Sequence, residues 1–236
     1  MKVAAIIPAH NEAERVGCVL EAVLAAKGVT RVILVDDGSS DATAEVGARY
    51  EGVQVERLAV NRGKGGAMLH GATIASDADV LLFLDADLIN LRPEHVQRLI
   101  EPVVTGSADM ALGQFTAGRG PTDLAQRVMP YITGQRVILR ELFQSIPDLD
   151  QVGFGIEMAI TLHVEAARRP VARVFMPGVT HPMKEEKLGF WRGARARLRM
   201  YGEMLRYVRR YRKEQRDRKA SRASESHSKP APAQRP

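Results

Sequence analysis

Asp85 and Asp87 follow directly on an apolar run in VLLFLDADLIN, residues 80–90, with only Ala86 between them. Two carboxylates that close repel one another, and the run before them is built to be buried. The pair is therefore either solvated on a loop or holds something positive. Two further clusters share this character, PAHNE at 8–12 and DDGSSD at 36–41. Hard carboxylate oxygens suit Mg2+ or Mn2+, and such ions commonly bridge to a substrate diphosphate. A fourth stretch, NRGKGGAMLHG at 61–71, has its lysine ahead of the last glycines, so it fits neither G-x-x-x-x-G-K-[ST] nor G-x-G-x-x-G. It reads as a loop that lets Lys64 and backbone N–H groups approach an anion at the start of a helix. Taken singly, each cluster is also what an ordinary polar loop looks like.

The elements that would position these groups alternate. KVAAIIPA, RVILVDD, VQVERLAV and DVLLFLDAD read as strands. Between them EAERVGCVLEAVLAAK, SDATAEVGARY and GGAMLHGATIA read as helices, with Val16, Leu20 and Val23 on one face of the first and Ser40 or Asp41 capping the second. PEHVQRLIEPVV is a further helix opened by Pro93. Strands alternating with helices predict an α/β fold with a mainly parallel central sheet and helices on both faces. Ligands of such sheets sit outside the carboxyl ends of the strands, where all three acidic clusters fall. Beyond residue 108 the pattern predicts a strand in DMALGQF and a glycine-rich loop in TAGRGPTD. A helical stretch through LAQRVMPYITGQRVILRELFQSI follows, then the helix IEMAITLHVEAARR and the strand VARVFMP.

Composition narrows the class. The 236 residues are 45% hydrophobic and 26% charged, ordinary for a globular chain able to bury a good core. The single cysteine, Cys18, excludes an internal disulfide framework and fits a reducing, cytoplasmic compartment. No apolar run reaches the roughly 20 residues of a membrane span, and MKVAAIIPAHNE reads as a first strand, not a signal peptide. The net charge of +6 is unevenly placed: residues 1–183 carry 17 basic against 22 acidic side chains, and residues 184–236 carry 17 against 6.

In this order and spacing, IIPAHNEAERVG, VILVDDGSSDAT, NRGKGGAMLHG and LFLDADL resemble the family 2 glycosyltransferases with the GT-A fold. Within them the likeness is to the dolichyl- and polyprenyl-phosphate sugar transferases, and more loosely to the glucosyl-3-phosphoglycerate synthases. It is dense from 2 to 88, thins through TGQRVILRELF and VGFGIEMAI, and is lost beyond about 182. The resemblance implies a nucleotide-sugar donor, UDP favoured over GDP, with Pro8, His10, Glu12 and Ala86 lining it and Asp37 holding the nucleobase. His10 stands where the family often has an aromatic residue. Asp85 and Asp87 match the D-x-D element and would form the site of Mg2+ or Mn2+, Asp87 as direct ligand and Asp85 holding the ribose or a metal-bound water. Lys64 would stabilise the charge that develops on the departing diphosphate. Arg136, with Gln135 beside it and Arg119 as partner, would grip an acceptor phosphate; the alternative is a helix-surface arginine. Glu157 matches an acidic family position, or is a helix-start carboxylate favoured by the dipole. His181 is either a further metal ligand or a solvated loop histidine.

A hydroxyl acceptor needs a general base, for which Asp148, Asp150 and Glu157 are candidates, none in the familiar acidic pair. A phosphate acceptor is already an anion, which leans towards a lipid phosphate. The expected organisation is a catalytic domain at 1–183, with a donor half at 1–107 and an acceptor half at 108–183, then a basic helical extension at 184–215 and a polar tail at 216–236. GFWRGARARLRMYGEMLRYVRRYRK, at 189–213, has the composition of an interfacial helix on an anionic membrane, or of a helix packed on the domain with its arginines outward. The first predicts a peripheral enzyme on the inner face of the cell membrane. The sequence thus predicts a metal-dependent glycosyltransferase acting on a polyprenyl phosphate or other phosphate-bearing acceptor, with no nucleic-acid partner and self-association as a homodimer left open. The alternatives are a soluble-acceptor transferase of the phosphoglycerate type and a non-catalytic membrane-surface or nucleic-acid binding protein on a degenerate transferase domain.

Overall fold

The computed structural model describes residues 1–115, 133–147, 149, 155–180 and 182. Arg119, Asp148, Asp150, His181, the expected basic helix and the expected tail lie outside the described residues. In chain order the elements are β1 (Val3–Ala9), α1 (Val16–Leu24), β2 (Arg31–Asp36), α2 (Thr43–Gly47), β3 (Val53–Arg57), α3 (Gly63–Ile74), β4 (Val80–Phe83) and α4 (Pro93–Val104). There follow β5 (Met110–Phe115), β6 (Arg136–Leu139), α5 (Arg140–Gln144), α6 (Ile156–Ala166) and β7 (Val171–Met176).

The seven strands form one sheet in the order β3-β2-β1-β4-β6-β5-β7. All neighbours run parallel except β6, which lies antiparallel between β4 and β5. The central strands are apolar throughout because both faces are covered. Val3, Ala5 and Ile7 of β1 face Val19, Leu20 and Val23 of α1 and Val96, Leu99 and Val103 of α4. Ala4 and Ile6 face the other way, with Phe83 of β4, onto Ala67 and Met68 of α3, Phe143 of α5 and Ile160 of α6. The alternation along β1 thus feeds two hydrophobic layers, and the result is the helix-sheet-helix sandwich that the βαβ pattern predicts.

Two expectations need correcting. The helix read from residue 12 begins only at Val16, because residues 11–13 give their backbone N–H groups to side chains of the β2–α2 connection and of the first residue of α2: Asn11 to Ser39 Oγ (2.9 Å), Glu12 to Thr43 Oγ1 (2.9 Å) and Ala13 to Asp41 Oδ2 (3.1 Å). The second lies within the long helical stretch expected over 124–146, where residues 136–139 form strand β6. Arg136 pairs with Phe83 on one side and Leu112 on the other, and Val137 and Ile138 are fully buried. An apolar run of this length has no periodicity of its own, and an unfilled ladder edge on β4 decides it. Among the described residues no helix is long and apolar enough to cross a membrane.

Candidate functional site

The three clusters meet because their strands are adjacent and in register. Ala9 at the end of β1 pairs with Asp36 at the end of β2, and Ile6 pairs with Phe83 at the end of β4. Leu84 then donates its N–H to Ile6 O at 3.3 Å, so that Asp85 and Asp87 emerge from the sheet just beyond it. Both are partly exposed, whereas Ala86 between them is buried.

The loops that follow β1 and β2 are stitched to each other by backbone and side chain. His10, exposed beyond β1, faces the carbonyl of Asp37 with Nδ1 at 2.9 Å. A carbonyl only accepts, so Nδ1 carries the proton and Nε2 accepts from Asn11 Nδ2 at 3.3 Å. Asn11 has a φ of 56°, a left-handed conformation that asparagine tolerates, and its Oδ1 accepts the Ser40 N–H at 2.9 Å. Pro8 is partly exposed at the same edge, and Glu12 lies 3.9 Å from Arg15. Asp37 is nearly buried, and one carboxylate oxygen takes the Arg62 backbone N–H at 2.7 Å. That bond fastens the lysine loop to the end of β2. Gly38 makes this approach possible: its φ is 67°, and a Cβ there would stand 3.0 Å from the Asn61 nitrogen.

Around Asp85 the arrangement is denser. Lys64, in the first turn of α3, pairs its ammonium with Asp85 Oδ1 and, at 2.5 Å, with Glu157 Oε1 in the first turn of α6. Gln135 donates Nε2 to Asp85 Oδ2 at 2.7 Å, and its own Oε1 accepts from Thr133 Oγ1 at 2.8 Å. Gly134 lies against the pair, and a Cβ there would come within 2.6 Å of Lys64 Nζ. Burial by itself would lower the Lys64 pKa, but the carboxylates of Asp85 and Glu157 outweigh it and hold the ammonium above the usual lysine range. Lys64 is therefore a fixed cation at neutral pH.

Arg136 corrects a sequence expectation. It is fully buried and not on a helix surface. Its guanidinium donates to Glu157 O at 2.9 Å and Thr133 O at 2.6 Å, and its Nε has no hydrogen-bond partner. Burial pushes its pKa down, opposed by the charges of Glu157 and Asp85. A side chain so enclosed does not reach out to an acceptor phosphate; it ties the 133–135 turn to the start of α6. Gln135, also expected to meet the acceptor, is 1% exposed and bears on Asp85 instead.

Sequence reasoning passed over Thr133 and Gly134, although the TGQR stretch that holds them was in view, and over Arg57. At the end of β3, Arg57 reaches Asp36 at 3.3 Å and donates to Ser39 O at 3.1 Å, bracing the loop that carries Asp37. The only signal for it was a charge closing an alternating strand. At the far side, Ile89 and Thr180 exchange both backbone hydrogen bonds, at 2.8 and 3.1 Å, so the segment after Asp87 is joined to the one after β7. Among the described residues no three His, Cys, Asp or Glu side chains form a metal cluster.

The arrangement is thus a sheet edge from which Asp85 and Asp87 emerge, with one lysine cation held between Asp85 and Glu157. It suits a hard cation and an anionic group held together. Comparison with known proteins gives the same direction. The model of the family described as glycosyl transferase family 2 matches residues 4–165. A glucosyl-3-phosphoglycerate synthase of Mycolicibacterium smegmatis is 34% identical over 192 residues, covering 67% of this chain and 62% of its own. An undecaprenyl-phosphate 4-deoxy-4-formamido-L-arabinose transferase of Photorhabdus laumondii is 38% identical over 116 residues, covering 44% of this chain and 34% of its own. The chain therefore spans between about a third and three fifths of the length of these curated relatives. A crystal structure of glucosyl-3-phosphoglycerate synthase from Mycobacterium tuberculosis with Mn2+, UDP-glucose and phosphoglyceric acid superposes with a TM-score of 0.62 at 26% identity, covering 80% of this chain and 75% of that one.

Proposed function

The chain belongs to glycosyl transferase family 2, and from that premise we propose that it moves a sugar from a nucleotide-diphosphate donor, UDP-linked by preference, to a phosphate-bearing acceptor. The observation that carries the reading is Lys64. It is a fixed ammonium between Asp85 of the donor-side edge and Glu157 of the acceptor half.

The donor set fits a divalent ion. Asp85 and Asp87 offer hard oxygens on a partly exposed edge, and Mg2+ or Mn2+ is commonly held by one or two carboxylates with substrate phosphates and water completing the shell. When bound, the ion supplies Lewis-acid stabilisation of the diphosphate. His181 is a candidate third ligand, supported by the backbone pairing of Thr180, its chain neighbour, with Ile89, two residues past Asp87.

The chain's own residues have separate tasks in this reading. His10 offers an exposed imidazole face to the base, held by Asp37 O and Asn11. Asp37 holds the lysine loop with one oxygen and leaves the other for the nucleobase. Lys64 gives a point charge to the leaving diphosphate as the bond to the sugar C1 breaks. Gln135 fixes the plane of the Asp85 carboxylate, and Arg136 keeps Glu157 and the 133–135 turn in place.

A small soluble phosphorylated acceptor is the second reading. A match covering 67% of the chain extends past the donor half wherever it begins, and it is to a phosphoglycerate enzyme; the polyprenyl-phosphate match covers 44%. The test is thermal stability with UDP, GDP and their sugar conjugates, with and without Mn2+, followed by transfer from the stabilising donor. Metal-dependent stabilisation by one nucleotide supports the donor assignment. Transfer to 3-phosphoglycerate or to a polyprenyl phosphate then decides the acceptor, and no shift with any nucleotide sinks the proposal.

A further inference from the structure

Asp85 has two claimants in the metal-dependent reading. The carboxylate expected to help hold a divalent ion already holds a cation, the Lys64 ammonium. We propose that Lys64 and the incoming ion compete for Asp85, so that metal entry is coupled to transfer of Lys64 onto Glu157 and the donor diphosphate. The inference rests on that metal-dependent reading.

Three features make Asp85 a contested ligand. Its carboxylate plane is fixed, because Gln135 holds Oδ2 at 2.7 Å and is itself held by Thr133 at 2.8 Å. The group does not swivel freely to offer a metal one oxygen while keeping Lys64 on the other. The backbone at Gly134 then walls the pair in, within a carbon's reach of Lys64 Nζ. Lastly, Glu157 stands 2.5 Å from the same ammonium, so Lys64 released from Asp85 keeps a carboxylate partner. No bare lysine charge is created by the exchange, and the stem of a lysine is flexible enough to make it.

Charge supplies the direction. A divalent ion on Asp85 with Lys64 still in place would set two cations within a few ångströms of each other, in a site partly withdrawn from water. The donor diphosphate relieves this by bringing negative charge that both cations share. Metal without nucleotide meets the resident ammonium; metal with nucleotide is joined by it. The device therefore makes ion and donor bind together and lets little metal bind alone, a coupling that is reciprocal by linkage.

The test is Mn2+ binding to the full chain, read from the electron paramagnetic resonance of free Mn2+, with and without UDP. Lys64→Met removes the competitor, so Mn2+ alone should bind about five- to tenfold more tightly than to the wild type. Lys64→Arg keeps a cation and should keep weak binding. Glu157→Gln leaves the ammonium with Asp85, so Mn2+ alone should bind more weakly. Saturating UDP should narrow the gap between Lys64→Met and the wild type. Equal or weaker Mn2+ binding by a cooperatively folded Lys64→Met chain overturns the proposal. Should that variant fail to fold, Glu157→Gln decides: weaker binding supports the exchange, and unchanged or tighter binding overturns it. If the wild type binds Mn2+ with UDP and the variants do not follow this order, the inference alone fails. If no form binds Mn2+ even with UDP, the metal-dependent reading fails, and the exchange with it.

Discussion

The Lys64 ammonium lies 2.5 Å from the Glu157 carboxylate, although 93 residues separate the two along the chain. Each belongs to the first turn of a helix on the same face of the sheet, α3 for one and α6 for the other. The contact joins the start of α3 to the start of α6, and Asp85 completes it from the segment just beyond β4. Much of what the site can do follows from this one junction.

Asp87 should decide whether a nucleotide and a metal bind as one unit. With wild-type protein, UDP at about 100 times its Kd together with Mn2+ should raise Tm by roughly 5 to 10 °C, following mass action and the size of the domain. In Asp87→Ala that rise should disappear, while the ligand-free Tm stays close to wild type because the residue is partly exposed. Differential scanning fluorimetry measures both.

Gly134 tests the site without testing the fold. An alanine there brings its Cβ within 2.6 Å of Lys64 Nζ, the end of a flexible side chain, and against the Asp85 carboxylate. Gly134→Ala should therefore fold with a Tm only a few degrees lower. Displacing the ion pair by about an ångström should reduce kcat/KM on the order of 100-fold. A transfer assay beside a melting curve separates the two effects, and unimpaired kcat/KM would refute the placement of this pair at the centre.

Arg136 should behave as a buried structural cation. Arg136→Met removes the guanidinium donors to Thr133 O and Glu157 O, the latter keeping its bond from Thr161 Oγ1 at 2.9 Å, and removes the charge that faces Asp85 and Glu157. The expected loss is about 3 kcal/mol or more, visible in urea denaturation. Arg136→Lys restores the charge but not two hydrogen bonds at once, so it should recover only part of the loss.

His95 gives stability an acid-side dependence. Its ring is buried in the first turn of α4, where Nδ1 accepts the Arg92 N–H at 3.2 Å. Burial, with Arg92 and Arg98 adding to it and Glu94 opposing, holds its pKa below the usual 6.5. The unfolded chain therefore takes up a proton on His95 before the folded one does. This contribution is present above pH 6.5 and is lost as pH falls through the lower folded value. His95→Gln should flatten the decline of urea midpoints between pH 7 and pH 5, and an unchanged slope would count against it.

Much of the site was legible because its parts are local. Asp85 and Asp87 stand at the end of an apolar run, and Asp37 and His10 end two similar runs. Strand-helix alternation with right-handed crossovers leaves all of these on one sheet edge. Lys64 was legible for the same reason, since glycines on either side of it mark a loop entering a helix.

The rest depended on pairings between distant residues. RVIL at 136–139 is short and apolar, and its local pattern serves a helix or a strand equally well. The vacant edge of β4 made it a strand and drew Arg136 into the core. Gln135 and Arg136 looked like surface groups reaching for a ligand and proved to hold Asp85 and Glu157 in place. Which residue types line the edge was already written in the chain, because strand-helix alternation and side-chain alternation follow from patterns within a few tens of residues. Which of those charges face one another came from the folded arrangement alone. An ion pair is fixed by distance in space, and 93 residues of chain carry no local record of that distance.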